Sequence, residues 1–192
     1  MEITAAILAG GAGTRVESRD KGLLPLLDRP LIAHVAAALR SQATTILVCA
    51  NRNQNEYAWF GEVVADAVAG FKGPLAGIAA ALARCKTPWL LTVPVDSPDL
   101  SHDFATRLAD AAISAGAEAS VAHDGVRRQP LFALYHSTLA ASAADALARD
   151  LAPWRWQKEI GAVEVDFSAE PQAFANLNTL EEFREWERRH GV

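Results

Sequence analysis

Short apolar runs alternate along this chain with stretches whose apolar residues recur three and four apart. That alternation limits the folds open to it more than any other feature. Residues 3–8, 45–50, 62–65 and 89–93 read as buried strands. Between them, residues 30–40 place Leu31, Val35 and Leu39 on one helical stripe, and residues 74–84 do the same with Leu75, Ile78 and Leu82. Each of these helices has a proline at its predicted first position, where a missing N–H costs nothing. A further helix is expected over 101–115, with Asp99 and Ser101 as cap residues. Parallel strands joined by crossover helices satisfy this pattern, with both sheet faces covered and ligands at the carboxyl ends of the strands.

The later part departs from it. Residues 119–123 and 130–135 flank a turn at Asp124-Gly125, a spacing that predicts antiparallel pairing. A helix over about 138–149 and a strand over 163–167 follow. Thr179 with Glu182 three residues on is a capping box opening the last helix. The expectation is a single domain over 1–192, a three-layer α/β/α Rossmann-like fold. Its central sheet is mostly parallel, with an antiparallel element in the C-terminal half.

At 192 residues and 51% hydrophobic, the chain can bury roughly 70% of its unfolded surface. A net charge of −5 argues against a broad nucleic-acid face, although a small phosphate pocket needs only a few cations. Cys49 and Cys85 lack metal-ligand spacing and read as buried free thiols. No run approaches the about 18 apolar residues of a membrane span. A cytoplasmic protein without membrane or nucleic-acid partners is expected.

The first strand ends in "LAGGAGTRVESRDKG". A dinucleotide fingerprint would need a third glycine at Val16 and a helix directly after it, and Pro25 and Pro30 interrupt any such helix. A Walker loop would need GK followed by Ser or Thr, whereas Lys21 precedes Gly22. There remains a long loop in which Gly10, Gly11 and Gly13 let backbone N–H groups approach anionic oxygens. Arg15 and Lys21 return to neutralise a polyphosphate.

Asp96 stands just past the fourth strand, bracketed by Pro94 and Pro98. A carboxylate there suits Mg²⁺, which takes one or two carboxylates plus substrate phosphates. Asn51 and Asp66 follow the second and third strands, and their amide and carboxyl groups can pair with a base edge or ribose hydroxyls. In "APWRWQKE", Trp154 and Trp156 alternate with Arg155, a pattern that fits one buried ring beside helix surface, or aromatic neighbours for a flat ligand. His34 and His102 read as helix-surface or cap neighbours.

Together "LAGGAGTRVESRDKG", "GPLAGI", "PVDSP", "HDGVRRQPLFALY" and "FANLNTLEE" resemble the nucleotidyltransferase family with a glycosyltransferase-A-like fold. Within that family they are most similar to the molybdenum cofactor guanylyltransferases. The resemblance runs from Ile3 to about Trp186 and implies a nucleotide-binding half over about 1–100 and an acceptor half over about 101–192. It implies that Leu8, Ala9, Gly10 and Gly11 line the GTP site, that Lys21, Asn51, Asp66 and Asp96 contact GTP, and that Asp96 also holds Mg²⁺. Arg15, Lys21 and Asp96 would be catalytic. Gln129, Asn176 and Asn178 would face molybdopterin, and transient contacts with other cofactor-assembly proteins and acceptor apoenzymes are implied too. The chain departs from the family at Val16-Glu17-Ser18, where Met-Gly is usual, which implies an altered local loop path. A cytidylyl or sugar-nucleotide transferase of the same fold, or a non-catalytic nucleotide-binding module, stays open at this point.

Overall fold

The computed structural model describes residues 1–10, 15–16, 19–66 and 73–191. Seven strands form one sheet: β1 (Ile3–Leu8), β2 (Thr45–Cys49), β3 (Glu62–Val64), β4 (Trp89–Pro94), β5 (Ala119–His123), β6 (Arg128–His136) and β7 (Val163–Asp166). Their spatial order is β7-β5-β6-β4-β1-β2-β3. β1 pairs in parallel with both β2 and β4, β2 with β3, and β7 with β5. β6 alone runs antiparallel, paired to β4 on one side and β5 on the other, with a bulge between Gln129 and Ala133. The expected antiparallel element is therefore a single strand.

The helices are α1 (Leu31–Leu39), α2 (Gln54–Tyr57), α3 (Pro74–Arg84), α4 (Phe104–Ser114), α5 (Ala140–Ala148), α6 (Pro153–Glu159) and α7 (Leu180–His190). Alternate residues of β1 show how the layers form. Ala5 and Ile7 enter a core with α1 and α4, and Ala6 and Leu8 a second core with α3, α5 and α6. The fold is thus the three-layer arrangement expected. A third cluster joins Leu24, Leu26 and Leu31 to Leu177, Phe183 and Trp186, so α7 packs on the segment that follows Lys21.

Chain direction away from β1 decides where a ligand can sit. β2 and β3 lie on one side of β1 and β4 on the other, which opens a crevice beyond the carboxyl ends of β1 and β4. Gly10 and Asp96 stand at those two ends.

Three local expectations need correction. Asp99 does not cap α4: its Oδ1 accepts Trp186 Nε1 at 2.8 Å and faces His190 Nε2 at 3.4 Å. Ser101 does not cap it either. Asp103 occupies the cap position without a side-chain bond, and Gln42 Oε1 accepts the Ala105 N–H at 2.9 Å instead. His34 is buried rather than on the surface, with Nε2 2.8 Å from the Leu26 carbonyl and its ring edge-on to Trp186. Sequence periodicity carries no sign of any of these, because each partner lies far away in the chain or in an irregular segment. Pro30 is also one place earlier than expected, as the N-cap of α1.

Gln42 also donates Nε2 to the Ser101 carbonyl at 2.9 Å, so one amide serves both sides of the α4 entry. Gln42→Ala is expected to destabilise the protein by about 1 kcal/mol, the usual cost of a lost helix cap. Urea unfolding would show this as a lower midpoint with an unchanged slope.

Candidate active site

The loop after β1 brings Lys21 back beneath the sheet's carboxyl edge, and burial there defines the site. Lys21 is 3% exposed. Its Nζ donates to Asp96 Oδ2 at 2.7 Å and to Asn178 Oδ1 at 2.7 Å. A buried ammonium survives only when paired and hydrogen-bonded, and here a strand-end carboxylate and a C-terminal amide share that task. The other carboxylate oxygen, Asp96 Oδ1, is buried without a hydrogen-bond partner among the described residues.

Lys21 is held from behind by its neighbours. Asp20 Oδ1 accepts the Tyr57 hydroxyl at 2.5 Å and the Gly22 N–H at 3.2 Å, and its Oδ2 accepts Asn53 Nδ2 at 2.9 Å. Burial, reinforced by the Asp20 carboxylate, raises the Tyr57 hydroxyl above its ordinary range and keeps it a donor. Gly22 has no room for a side chain: a Cβ would lie 2.5 Å from the Tyr57 hydroxyl and 2.9 Å from Val95 Cγ2. This support was not legible in the sequence, since Tyr57 sits in a four-residue helix within a polar stretch. Earlier in the loop, Arg15 and Val16 pair antiparallel with Asp20 and Arg19. Gly11, Gly13 and the Glu17-Ser18 departure lie outside the described residues, as does the Arg15 side chain.

The C-terminal segment is pinned along Asp96 and Ser97. Leu177 N–H donates to the Asp96 carbonyl at 3.0 Å, and Ser97 Oγ to Asn176 Oδ1 at 3.0 Å. The capping box then orients Asn178: Glu182 Oε2 accepts the Asn178 N–H at 2.6 Å and the Thr179 N–H at 2.7 Å. The structure thus separates two residues that the sequence grouped together. Asn178 turns to Lys21, while Asn176 lines the adjoining cavity.

That cavity measures about 660 Å³, and its described lining includes Gly10, Asp96, Arg127, Gln129, Trp154 and Asn176. Leu8 also lines it, whereas Ala9 is buried with its N–H on the Cys49 carbonyl. At Gly10 a Cβ would stand 3.3 Å from the Cys49 carbonyl and 3.5 Å from Asn51 Nδ2. Asn51 and Asp66 form a reciprocal pair, Asn51 Nδ2 donating to Asp66 Oδ2 at 2.7 Å and Asp66 N–H to Asn51 Oδ1 at 2.9 Å. Gln129 Nε2 donates to Asp124 Oδ2 at 2.6 Å, which ties the cavity wall to the β5–β6 turn.

Cys49 also lines the cavity, but burial, helped by the negative charge of Asp66, pushes its thiol up to about 12. It is an inert thiol rather than a nucleophile. Among the described residues no group of three or more His, Cys, Asp or Glu could hold a metal ion. A lone carboxylate with an unpartnered oxygen suits a cation that completes its shell with phosphate and water, and does not suit zinc.

A mostly parallel sheet with a glycine, a carboxylate and a buried lysine at its carboxyl edge suits a phosphate- or nucleotide-binding α/β protein. Comparison with known proteins agrees. Residues 5–163 match the family model described as the MobA-like NTP transferase domain. The molybdenum cofactor guanylyltransferase of Vibrio campbellii is 41% identical over 181 residues, covering 94% of this chain and 92% of that protein. The enzyme of the same name from Shewanella putrefaciens is 42% identical over 184 residues, with 95% and 94% covered. The molybdopterin-guanine dinucleotide biosynthesis protein A of Archaeoglobus fulgidus shares the fold, with a TM-score of 0.79 at 21% identity and 97% of each chain covered. The chain belongs to the MobA-like NTP transferase family, among its molybdenum cofactor guanylyltransferases.

The Glu182 carboxyl lies below its ordinary value, chiefly because it accepts the Asn178 N–H, with the Thr179 N–H and hydroxyl and the Lys21 charge adding to the effect. A depressed folded-state pKa stabilises the fold above the unfolded value of 4.5, and that contribution is lost as pH falls through the lower folded value. Glu182→Gln is expected to lower the melting temperature by about 2–4 °C at pH 7, the shift that about 1 kcal/mol produces at this size. The gap to wild type should close as the pH drops below 4.5 in a thermal denaturation series.

Proposed function

We propose that this enzyme transfers GMP from GTP to the terminal phosphate of molybdopterin, giving molybdopterin guanine dinucleotide and pyrophosphate, with Mg²⁺ bound at Asp96. The single observation that carries the metal and phosphate assignment is the Lys21–Asp96 pair, with one carboxylate oxygen left buried and without a partner among the described residues. The guanylyltransferase names of relatives at 41% and 42% identity support the choice of nucleotide and acceptor.

In this reading the nucleotide occupies the edge beyond β1 and β2. Leu8, Ala9, Gly10 and Gly11 belong to the base and ribose side, where Gly10 presents no side chain, and the Asn51–Asp66 pair offers an amide and a carboxylate to the polar edges of the nucleoside. Two of the three Lys21 N–H donors are committed to Asp96 and Asn178, which aims the third at phosphate. Arg15, at the start of the loop's short ladder, adds a second cation for the departing pyrophosphate. Asp96 supplies the carboxylate for Mg²⁺ through Oδ1. Mg²⁺ bound there contributes Lewis-acid stabilisation of phosphoryl charge.

The acceptor half, about 101–192, supplies Gln129 and Asn176 to the cavity, with Asn178 held on Lys21. The acceptor phosphate oxygen attacks the α-phosphorus of GTP, the bond from that phosphorus to the bridging oxygen breaks, and pyrophosphate leaves with the electron pair. A phosphate monoester, with a second pKa of about 6, is already ionised near neutral pH, so the chain need supply no general base. Its work is alignment and charge compensation between two anions. The product must pass to an apoenzyme, which implies transient contacts with assembly proteins and acceptors. Among the described residues no helix is long and apolar enough to cross a membrane.

Asp96→Asn keeps the side chain's shape and removes the charge on which both Lys21 and the metal depend. Pyrophosphate release from GTP and molybdopterin is expected to fall by on the order of a hundredfold or more. Turnover close to wild type would contradict the metal assignment. In a thermal-shift series with Mg²⁺, stabilisation by GTP over CTP is expected. The reverse preference would favour a cytidylyl enzyme.

A further inference from the structure

Helix α6 fixes an aromatic ring at the cavity and leaves half of it in solvent. Trp156, fully buried, stacks on Tyr135 with ring centroids 5.0 Å apart and donates Nε1 to Ser142 Oγ at 3.0 Å. Gln157, also fully buried, donates Nε2 to the Pro130 carbonyl at 2.8 Å and to the Tyr135 hydroxyl at 2.6 Å. These contacts clamp α6 onto β6 beside the bulge that carries Gln129 and Pro130 into the cavity wall.

Trp154 lies two residues earlier in the same helix, right after Pro153 and on a different face from Trp156. It lines the cavity yet is 48% exposed, and the Arg155 guanidinium carbon stands 5.1 Å from its ring centroid. Core packing does not account for it, because Trp156 and Gln157 already do the anchoring. A large ring on a fixed helix, beside a cavity and beneath a cation, has the form of a stacking platform for a flat conjugated molecule.

We propose that Trp154 is a specificity-determining residue for the acceptor, taking its planar heterocycle by stacking and so favouring a pterin over a sugar phosphate. The proposal rests on the guanylyltransferase reading above. Stacking is made equally in the bound substrate and in the transition state, so it governs acceptor KM rather than kcat.

The test is steady-state pyrophosphate release with GTP and molybdopterin for wild type, Trp154→Ala and Trp154→Phe. Trp154→Ala should raise the molybdopterin KM by about tenfold, the scale of one aromatic–base stack, with kcat and the GTP KM little changed. Trp154→Phe, which keeps an aromatic face and serves as the folding control, should stay near wild type. Binding of a pterin monophosphate, followed by isothermal titration calorimetry, should weaken in parallel in the Ala variant alone. An unchanged molybdopterin KM in Trp154→Ala, or an equal rise in the GTP KM, overturns the role of Trp154 while the wild-type activity stands. Absence of molybdopterin-dependent pyrophosphate release in wild type instead overturns the guanylyltransferase reading, and this assignment with it.

Discussion

An ammonium group shut away from water must have its charge and its N–H groups met within the protein, and at Lys21 this requirement draws distant parts of the chain together. Asp96 comes from the end of β4 and Asn178 from the segment before α7, 75 and 157 residues away in sequence. Removing one partner of such a buried pair typically costs about 3–5 kcal/mol, far more than the intact pair contributes, so each partner's placement is tightly constrained. The small third core, Leu24, Leu26 and Leu31 against Leu177, Phe183 and Trp186, has its purpose here. It seats α7 on the loop that carries the lysine.

From that point the rest of the site can be read outward. The capping box of α7 does more than start a helix, since Glu182 also holds the Asn178 N–H and so presents its side chain to Lys21. Asp20, braced by Tyr57 and Asn53, fixes the other approach to the lysine through the Gly22 N–H. The result is a preorganised group whose charge is balanced within the protein and whose remaining donor has one direction left to point. Preorganised charge of this kind needs no rearrangement when phosphate charge develops.

The elements set by periodicity were legible from the residues alone. β1, α3 and β5 have the expected bounds, because each is a buried apolar run or stripe closed by Gly, Pro or a polar turn. The positions of Asn51, Asp66 and Asp96 at one sheet edge also followed from their places after strands, and that of Lys21 from the long glycine loop that brings it back. Contacts between irregular segments were not legible. Tyr57 on Asp20, Gln42 on α4 and His34 against Leu26 and Trp186 each depend on tertiary placement that no local pattern encodes. Asn176 and Asn178 show the same limit at closer range. Two asparagines two residues apart point to different tasks, because Ser97 holds one and Lys21 the other.

In the proposed complex the nucleotide lies against Gly10 and the Asn51–Asp66 pair, with its phosphates between Lys21 and a metal on Asp96. A crystal structure of the protein with GTP and Mg²⁺ tests this most directly. It should show the guanosine at that pair, a phosphate oxygen on Lys21 Nζ and the metal on Asp96 Oδ1. A nucleotide bound elsewhere, or a metal held without Asp96, would contradict the account.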